Sequence, residues 1–516
     1  MGRELEDVEK PFIAQLTQLG WSPVEGSLDD PAVTGRGSFA EVIQEAVLRE
    51  RLLALNLRDG RPWLDDERVA EAVAAITRLS GRLMEANEKV TRLLIDGITV
   101  EGLPGWDGGR GQTICYIDWE TPGNNRFTVI NQYRVDCPPG FNAAKAFIVP
   151  DLVLLVNGLP IVVVECKSPS IPEPLAEAVD QLRRYANQRH AALEVDDNEG
   201  NETLFATVQL LIASSFDEAR VGCIGGGFEH FAQWKTVVGP DGSGNEAEVA
   251  DRLGKTIVSE QERLIAGLLT PVHLLDVIRH FMLFMQAEGQ TIKTMCRYQQ
   301  YRAVNKALNK LKTGKTRKQH GESDQRGGII WHTQGSGKSL TMVFLVRKLR
   351  AEPLLRRFKV IVVTDRNDLQ RQLSATATLT GETVEVASNT TGIKNLAKRK
   401  GPGLIFATIQ KYRDAELVDD APLTAADLPK QVGISTPKST YNAQAAFEVL
   451  NDDEAILVLV DEAHRTQAGD LHANLLAGLP NSARIGFTGT PIIMGEKKRT
   501  HEIFGEFIDR YTIKQA

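Results

Sequence analysis

The sequence is poor in cysteine: five in 516 residues, at positions 115, 137, 166, 223 and 296, none in a CxxC pair. The odd number and wide scatter argue against a disulfide framework or a zinc site, so reduced thiols and a cytoplasmic setting are expected. No apolar run approaches the roughly 18 residues that cross a bilayer, so no membrane association is expected. The first residues, Met1 to Asp7, lack an apolar signal core. Met1-Gly2 would open a myristoylation signal, but position 6 is Glu rather than Ser or Thr. Excess charge is lacking too. A net charge of −7 does not advertise nucleic-acid binding, though a local basic channel is compatible with it.

What is present is globular material, 42% hydrophobic and 25% charged. That is enough chain for roughly two to four domains. The first residues, to about position 95, read as helical, with apolar residues at helical spacing over Ser38–Leu57. Thr113–Asp118, Phe127–Val135, Phe147–Val156, Pro160–Lys167 and Leu204–Ser214 then read as strands, with a helix over Pro174–Gln188. Connecting helices are expected over 256–295. From Gln300 onward, buried-type strands at Gly328–His332, Val360–Thr364, Leu404–Thr408, Ile456–Val460 and Ala483–Thr488 alternate with helices, as in a parallel sheet. The polar, basic stretch Lys310–Arg326 reads as a mobile loop.

The first chemical constellation lies on a hairpin. Asn157-Gly158 is a strong turn signal between two apolar strands. A two-residue turn sets Asp151 opposite about position 164, and so beside Glu165 to within one residue of register. Glu165 and Lys167 share a face. Two carboxylates and an ammonium at one point suit metal-assisted hydrolysis, with Mg²⁺ held by Asp151 and Glu165 and Lys167 orienting water or stabilising charge. Cys166 points to the opposite face and belongs to the core. Gln181 and Tyr185 share one helical face and can brace the site or touch DNA.

The second constellation is a phosphate loop. Ile329–His332 is a strand, Thr333 to Gly337 a glycine-containing loop, and Lys338-Ser339 a helix start. Gly335, Ser336 and Gly337 offer backbone N–H groups to phosphate, Lys338 reaches the β/γ-phosphates, and Ser339 binds Mg²⁺. His332 stands where the strict pattern has glycine. Downstream, the apolar strand Ile456–Val460 ends in Asp461-Glu462-Ala463-His464. Asp461 would hold Mg²⁺, Glu462 would polarise the attacking water, and His464 could report the nucleotide state.

These residues resemble a superfamily 2 helicase core and, more specifically, the restriction (motor) subunit of type I restriction-modification enzymes. Asn157–Pro169 is similar to that family's nuclease hairpin, and Phe127–Tyr133 to the strand before it. Gln181 and Tyr185 fit the QxxxY element of the RecB-like nuclease group. Arg297-Tyr-Gln-Gln300 resembles an adenine-sensing element, and its spacing selects Gln300. Thr364–Gln370 looks like the strand-contacting motif Ia, Thr408–Gln410 like motif Ib, and Gly486–Pro491 like motif III.

The resemblance implies an α/β chain: a PD-(D/E)xK nuclease domain (1–255), with a mixed sheet flanked by helices, a helical connector (256–295) and a first RecA-like lobe (296–516). It implies ATP and Mg²⁺ as cofactors. Double-stranded DNA and the methyltransferase and specificity subunits are the implied partners. Such motors use two lobes, and the sequence stops near the end of the first. Arg366, Arg484 and Arg510 do not stand where an arginine finger is expected. A fragment or truncated product, binding ATP weakly and hydrolysing it poorly, is therefore expected. Two alternatives stay open: a helicase or remodeller whose nuclease fold serves as a DNA clamp, and a non-catalytic remnant that binds the methyltransferase. The first 35 residues carry no readable motif. Glu45 is a weak candidate for a helical acid completing the nuclease site.

Overall fold

The computed structural model describes residues 4–105, 107–138, 146–188, 199–287, 289–364, 374, 383–387, 390–408, 448–461, 477–489 and 503–512. The chain divides into two compact units, 1–298 and 299–516. Among the described residues, no helix is long and apolar enough to cross a membrane.

The first unit opens with a π-helical turn, Leu5–Glu9, running into helix α1 (Lys10–Gln18). Val8, Phe12 and Leu16 recur every four residues and are fully buried, the spacing of one helical face. The segment is fastened from far downstream. Gln15 Nε2 donates to the Glu262 carbonyl and Trp21 Nε1 to the Leu269 carbonyl, each at 2.8 Å.

A six-stranded mixed sheet forms the core. Its strands are β1 (Ser22–Val24), β2 (Phe127–Asn131), β3 (Leu152–Val156), β4 (Leu159–Cys166), β5 (Leu210–Ser214) and β6 (Ala219–Gly222), in spatial order β1-β2-β3-β4-β5-β6. The β1–β2 and β4–β5 pairs are parallel, and the others are antiparallel. Every residue of β3, β4 and β5 is buried. Helices α2 (Glu45–Leu55), α3 (Leu83–Asp96) and α4 (Pro174–Tyr185) belong to the same unit. The Asn157-Gly158 turn joining β3 to β4 has φ of 53° and 83°, the type I′ geometry that matches strand twist. A side chain at Gly158 would meet the Gln44 carbonyl at 2.6 Å, so glycine is required there.

The stretch 256–295, expected as helices throughout, carries helix Glu260–Leu264 and α5 (Pro271–His280). It then forms an antiparallel hairpin of β7 (Met282–Ala287) and β8 (Gln290–Met295), all within the first unit. Lys293 on β8 is buried and donates to Asn87 Oδ1 on α3 and to Gln209 Oε1 just before β5, both at 2.7 Å. Among the described residues no carboxylate pairs with it, and burial pushes the ammonium down to about 7.

The second unit begins with α6 (Tyr298–Thr313). It continues through β9 (Gly328–His332), α7 (Lys338–Ala351), β10 (Lys359–Thr364), β11 (Val384–Ala387), α8 (Thr390–Lys398), β12 (Gly403–Thr408), β13 (Ile456–Val460), β14 (Ala483–Thr488) and β15 (Phe507–Tyr511). The seven strands form one sheet, all recorded pairings parallel, in the order β11-β12-β10-β13-β14-β9-β15. The strands expected from the apolar runs stand within a residue of their places. Lys310–Arg326 is not the loose loop its polarity suggests. It contains the end of α6 and a short capped helix, Arg317–His320. Arg326 is 5% exposed, pairs with Asp324, and donates to the Glu454 and Asn481 carbonyls.

Candidate functional site

The nuclease-type residues meet because of a β-bulge. The β3–β4 ladder pairs Val156 with Leu159 and Leu155 with Pro160, then slips one residue so that Leu154 pairs with Val162 and Leu152 with Val164. A turn alone would set Asp151 against Val164. The extra residue at the bulge carries it to Glu165. There the Cys166 amide donates to Asp151 Oδ2 at 2.8 Å. Lys167 Nζ donates to Glu165 Oε1 at 2.8 Å, and the Lys167 amide anchors to the Ser214 carbonyl on β5. Cys166 is fully buried, and burial pushes its thiol well up.

Gln181 and Tyr185 also arrive at the site's edge. The Gln181 amide donates to the Tyr185 hydroxyl at 2.6 Å, which donates to the Val149 carbonyl at 3.1 Å. Tyr185 thereby holds the backbone two residues before Asp151.

Sequence reasoning missed two participants, Glu4 and Glu9. Glu9, at the junction with α1, is 2% exposed. Single carboxylate oxygens of Glu4, Glu9 and Asp151 lie within 4.8 Å of one another. The signal that could have found Glu9 is an acid bordering the apolar stripe Val8-Phe12-Leu16. Glu45, by contrast, pairs with Arg49 on α2 and is not in the cluster.

Burial, and then the neighbouring Asp151 charge, push Glu9 up to about 7. Burial pushes Asp151 up to about 6, and burial followed by Asp151 raises Glu165 well above the usual carboxylate range. Burial opposes the Lys167 ammonium, but Glu165 outweighs it and holds that group above its ordinary value. Glu9 Oε2 and Glu165 Oε2 are buried without a hydrogen-bond partner. Orphaned carboxylate oxygens are costly, and a set of hard oxygens is what a divalent cation takes. The residues fit Mg²⁺.

The second set converges at the carboxyl ends of parallel strands. β9 leads into Thr333, and Gly335 and Gly337 adopt φ of 83° and 81° before α7 begins at Lys338. Thr333 and Ser339 are half-buried, while Ser336 and Lys338 are buried. Ser336 Oγ has no hydrogen-bond partner. Lys338 lies against the end of β14, where a side chain at Gly489 would meet its Nζ at 2.7 Å. Gln300 Nε2 donates to the Gly337 carbonyl at 3.0 Å, and Gln299 Nε2 reaches the Ser336 carbonyl at 3.4 Å. Asp461, at the end of β13, accepts from Thr364 Oγ1 at 3.2 Å. Glu462 and His464 lie outside the described residues, as do Arg366 and most of the stretch resembling motif Ia. The glycine-bearing loop at a helix start and the buried lysine fit a nucleotide triphosphate.

Residues 3–225 match the family model for the Type I restriction enzyme R protein N terminus, and residues 299–516 match the SWI2/SNF2 ATPase model. The chain is 34% identical to the Type I restriction enzyme HindI endonuclease subunit of Haemophilus influenzae, over 99% of this chain and 44% of that protein. The chain belongs to the type I restriction enzyme R protein family. A second relative, the putative type I restriction enzyme MjaIXP endonuclease subunit of Methanocaldococcus jannaschii, is 27% identical over 99% of this chain and 44% of its own length. The SsaAORF53P endonuclease subunit of Staphylococcus saprophyticus is 26% identical over 78% and 36%. The chain thus spans less than half the length of these family members. The crystal structure of the UvsW helicase from bacteriophage T4 aligns at 12% identity with a TM-score of 0.24, covering 58% of this chain and 99% of that one. That is too loose to bear on the fold.

Proposed function

We propose that this chain carries the DNA-cutting head and the first ATPase lobe of a type I restriction subunit. Residues 1–255 act as the nuclease and 296–516 as the lobe. The whole protein would draw double-stranded DNA past itself using ATP and cut it non-specifically. Recognition would come from partner methyltransferase and specificity subunits. The observation that carries this reading is the buried gathering of Asp151, Glu165, Lys167 and Glu9, with two carboxylate oxygens left unpaired.

Asp151, Glu165 and Glu9, with Glu4 beside them, would hold Mg²⁺. The bound cation supplies Lewis-acid activation of water and charge neutralisation at phosphate. Lys167, kept protonated by Glu165, places a positive charge where the transition state gains negative charge. Gln181 and Tyr185 act by fixing the backbone before Asp151. In the lobe, Thr333 and Gly335 to Lys338 would hold the ATP phosphates. Ser339 and Asp461 would hold its Mg²⁺, Glu462 would polarise water, and Gln300 would meet the adenine.

The test is Mg²⁺-dependent cleavage of plasmid DNA by the chain assembled with its partner subunits and ATP. Loss of cleavage in both Asp151→Ala and Lys167→Ala, with DNA binding retained, supports the reading. Cleavage unchanged by both substitutions sinks it and favours the alternative of a DNA clamp.

A further inference from the structure

We infer that Asp509 is a positioning residue that sets base selectivity at the nucleotide site by locking α6 to the strand that feeds the phosphate loop. The inference rests on the reading of residues 333–339 as an ATP site.

Asp509 lies on β15 at the edge of the second sheet, and its side chain is 1% exposed. Its four acceptor positions are all filled. Oδ1 takes Arg302 Nε at 2.8 Å and Lys306 Nζ at 3.2 Å. Oδ2 takes Arg302 Nη2 at 3.0 Å and His332 Nε2 at 2.9 Å. Arg302 also donates to the Arg510 carbonyl at 2.8 Å, so its guanidinium grips both the side chain and the backbone of β15. A planar fork on a carboxylate fixes orientation as well as distance.

The partners of Asp509 come from the elements that wall the phosphate loop. Gln299, Arg302 and Lys306 recur at helical spacing on one face of α6. The first of them touches the Ser336 carbonyl, and the other two hold Asp509. Gln300 on the adjoining face touches Gly337. His332 is the last residue before the loop, and its ring packs edge-on against Tyr511 at 5.8 Å. The Thr333 amide donates to the Tyr511 carbonyl at 3.1 Å, so β15 supports the loop's first residue directly. One carboxylate thus fixes the helix carrying the glutamines relative to the loop that would hold phosphate.

A primary amide can read adenine by pairing with a donor and an acceptor on its edge. That reading demands a fixed distance from base to phosphate, whereas phosphate binding alone does not. Loosening Asp509 should therefore erode discrimination between bases before it erodes affinity for phosphate.

The experiment measures binding of ATP, GTP and inorganic tripolyphosphate to the full 516-residue chain and its variants. Asp509→Asn keeps shape but loses the charge that holds the fork. It should weaken ATP binding about tenfold, a cost of roughly 1.4 kcal/mol. The ATP-over-GTP preference should fall in step, and tripolyphosphate affinity should change less than about twofold. Arg302→Lys, which leaves Asp509 its other partners, should shift the same ratio in the same direction and serves if the first variant does not fold. An unchanged ATP-over-GTP ratio in the folded variants overturns the inference, as does an equal loss for all three ligands. Lys338→Ala separates the underlying reading. If it leaves binding of all three ligands intact, the nucleotide site itself is misassigned and the inference falls with it.

Discussion

The Asp151 carboxylate accepts a hydrogen bond from the Cys166 amide at 2.8 Å, across the hairpin from its own strand. One oxygen is therefore committed to the main chain, and the carboxylate is aimed by the backbone of the neighbouring strand. Asp151→Asn keeps an acceptor for that amide and removes only the charge. The melting temperature should stay within about two degrees, since a neutral hydrogen bond replaces a charged one and burial of charge is relieved. Cleavage should fall by at least on the order of 10²-fold. Near-normal cleavage by this variant would remove Asp151 from the chemistry.

Glu9 gives a prediction with opposite signs for stability and binding. Its carboxyl is raised to about 7, so between about pH 4.3, the ordinary glutamate value, and pH 7 the folded chain binds more protons than the unfolded one. Stability of the metal-free protein then falls as pH rises through that window. Glu9→Gln removes the cost. At pH 8 it should stabilise the metal-free chain by on the order of 1–3 kcal/mol while weakening Mg²⁺ binding. Thermal melts with and without Mg²⁺ read both. A destabilised metal-free variant would contradict the account.

Tyr185 is tested through its hydroxyl. Tyr185→Phe removes the donor to the Val149 carbonyl and should cost about 1 kcal/mol of stability. Cleavage should drop roughly 10-fold, the lower end of what outer partners of a metal site contribute. Cleavage at the wild-type rate would assign the tyrosine to packing alone.

Lys293 makes a separate claim about pH. Its ammonium, buried among amide oxygens, sits at about 7 when folded, against about 10.4 when unfolded. Between those values the unfolded chain holds the extra proton, so stability rises with pH across the window. Relative to Lys293→Met, the wild-type chain should gain on the order of a few kcal/mol between pH 7 and pH 10. Denaturant melts across that range measure it. A difference independent of pH would mean that the two amide oxygens suffice to keep the lysine charged.

Much of this was legible in the residues. The apolar strands of the second unit and the glycine loop after Ile329–His332 are local patterns, and local patterns survive folding. The Asn157-Gly158 turn marked the hairpin that carries Asp151, Glu165 and Lys167 for the same reason. The bulge between Pro160 and Val162 was not legible, because a continuous apolar strand hides an extra residue. Glu9 escaped because its meaning depends on a partner, Asp151, supplied by a distant strand. Asp509 escaped likewise: nothing near it in sequence announces Arg302 or His332. The β7–β8 hairpin was read as helix, since its short apolar run Met282–Met285 suits either period.

The fastening of the N-terminal segment by Glu262 and Leu269 has a consequence for biosynthesis. A chain made from its N-terminus exposes Glu9 early, yet the tethers that hold it emerge only after the hairpin bearing Asp151, Glu165 and Lys167. A nascent polypeptide halted before Leu269 would carry Asp151, Glu165 and Lys167 without the Trp21 tether that helps hold the segment bearing Glu9. The anchoring of the segment that bears Glu9 is thus available only once synthesis has passed Leu269.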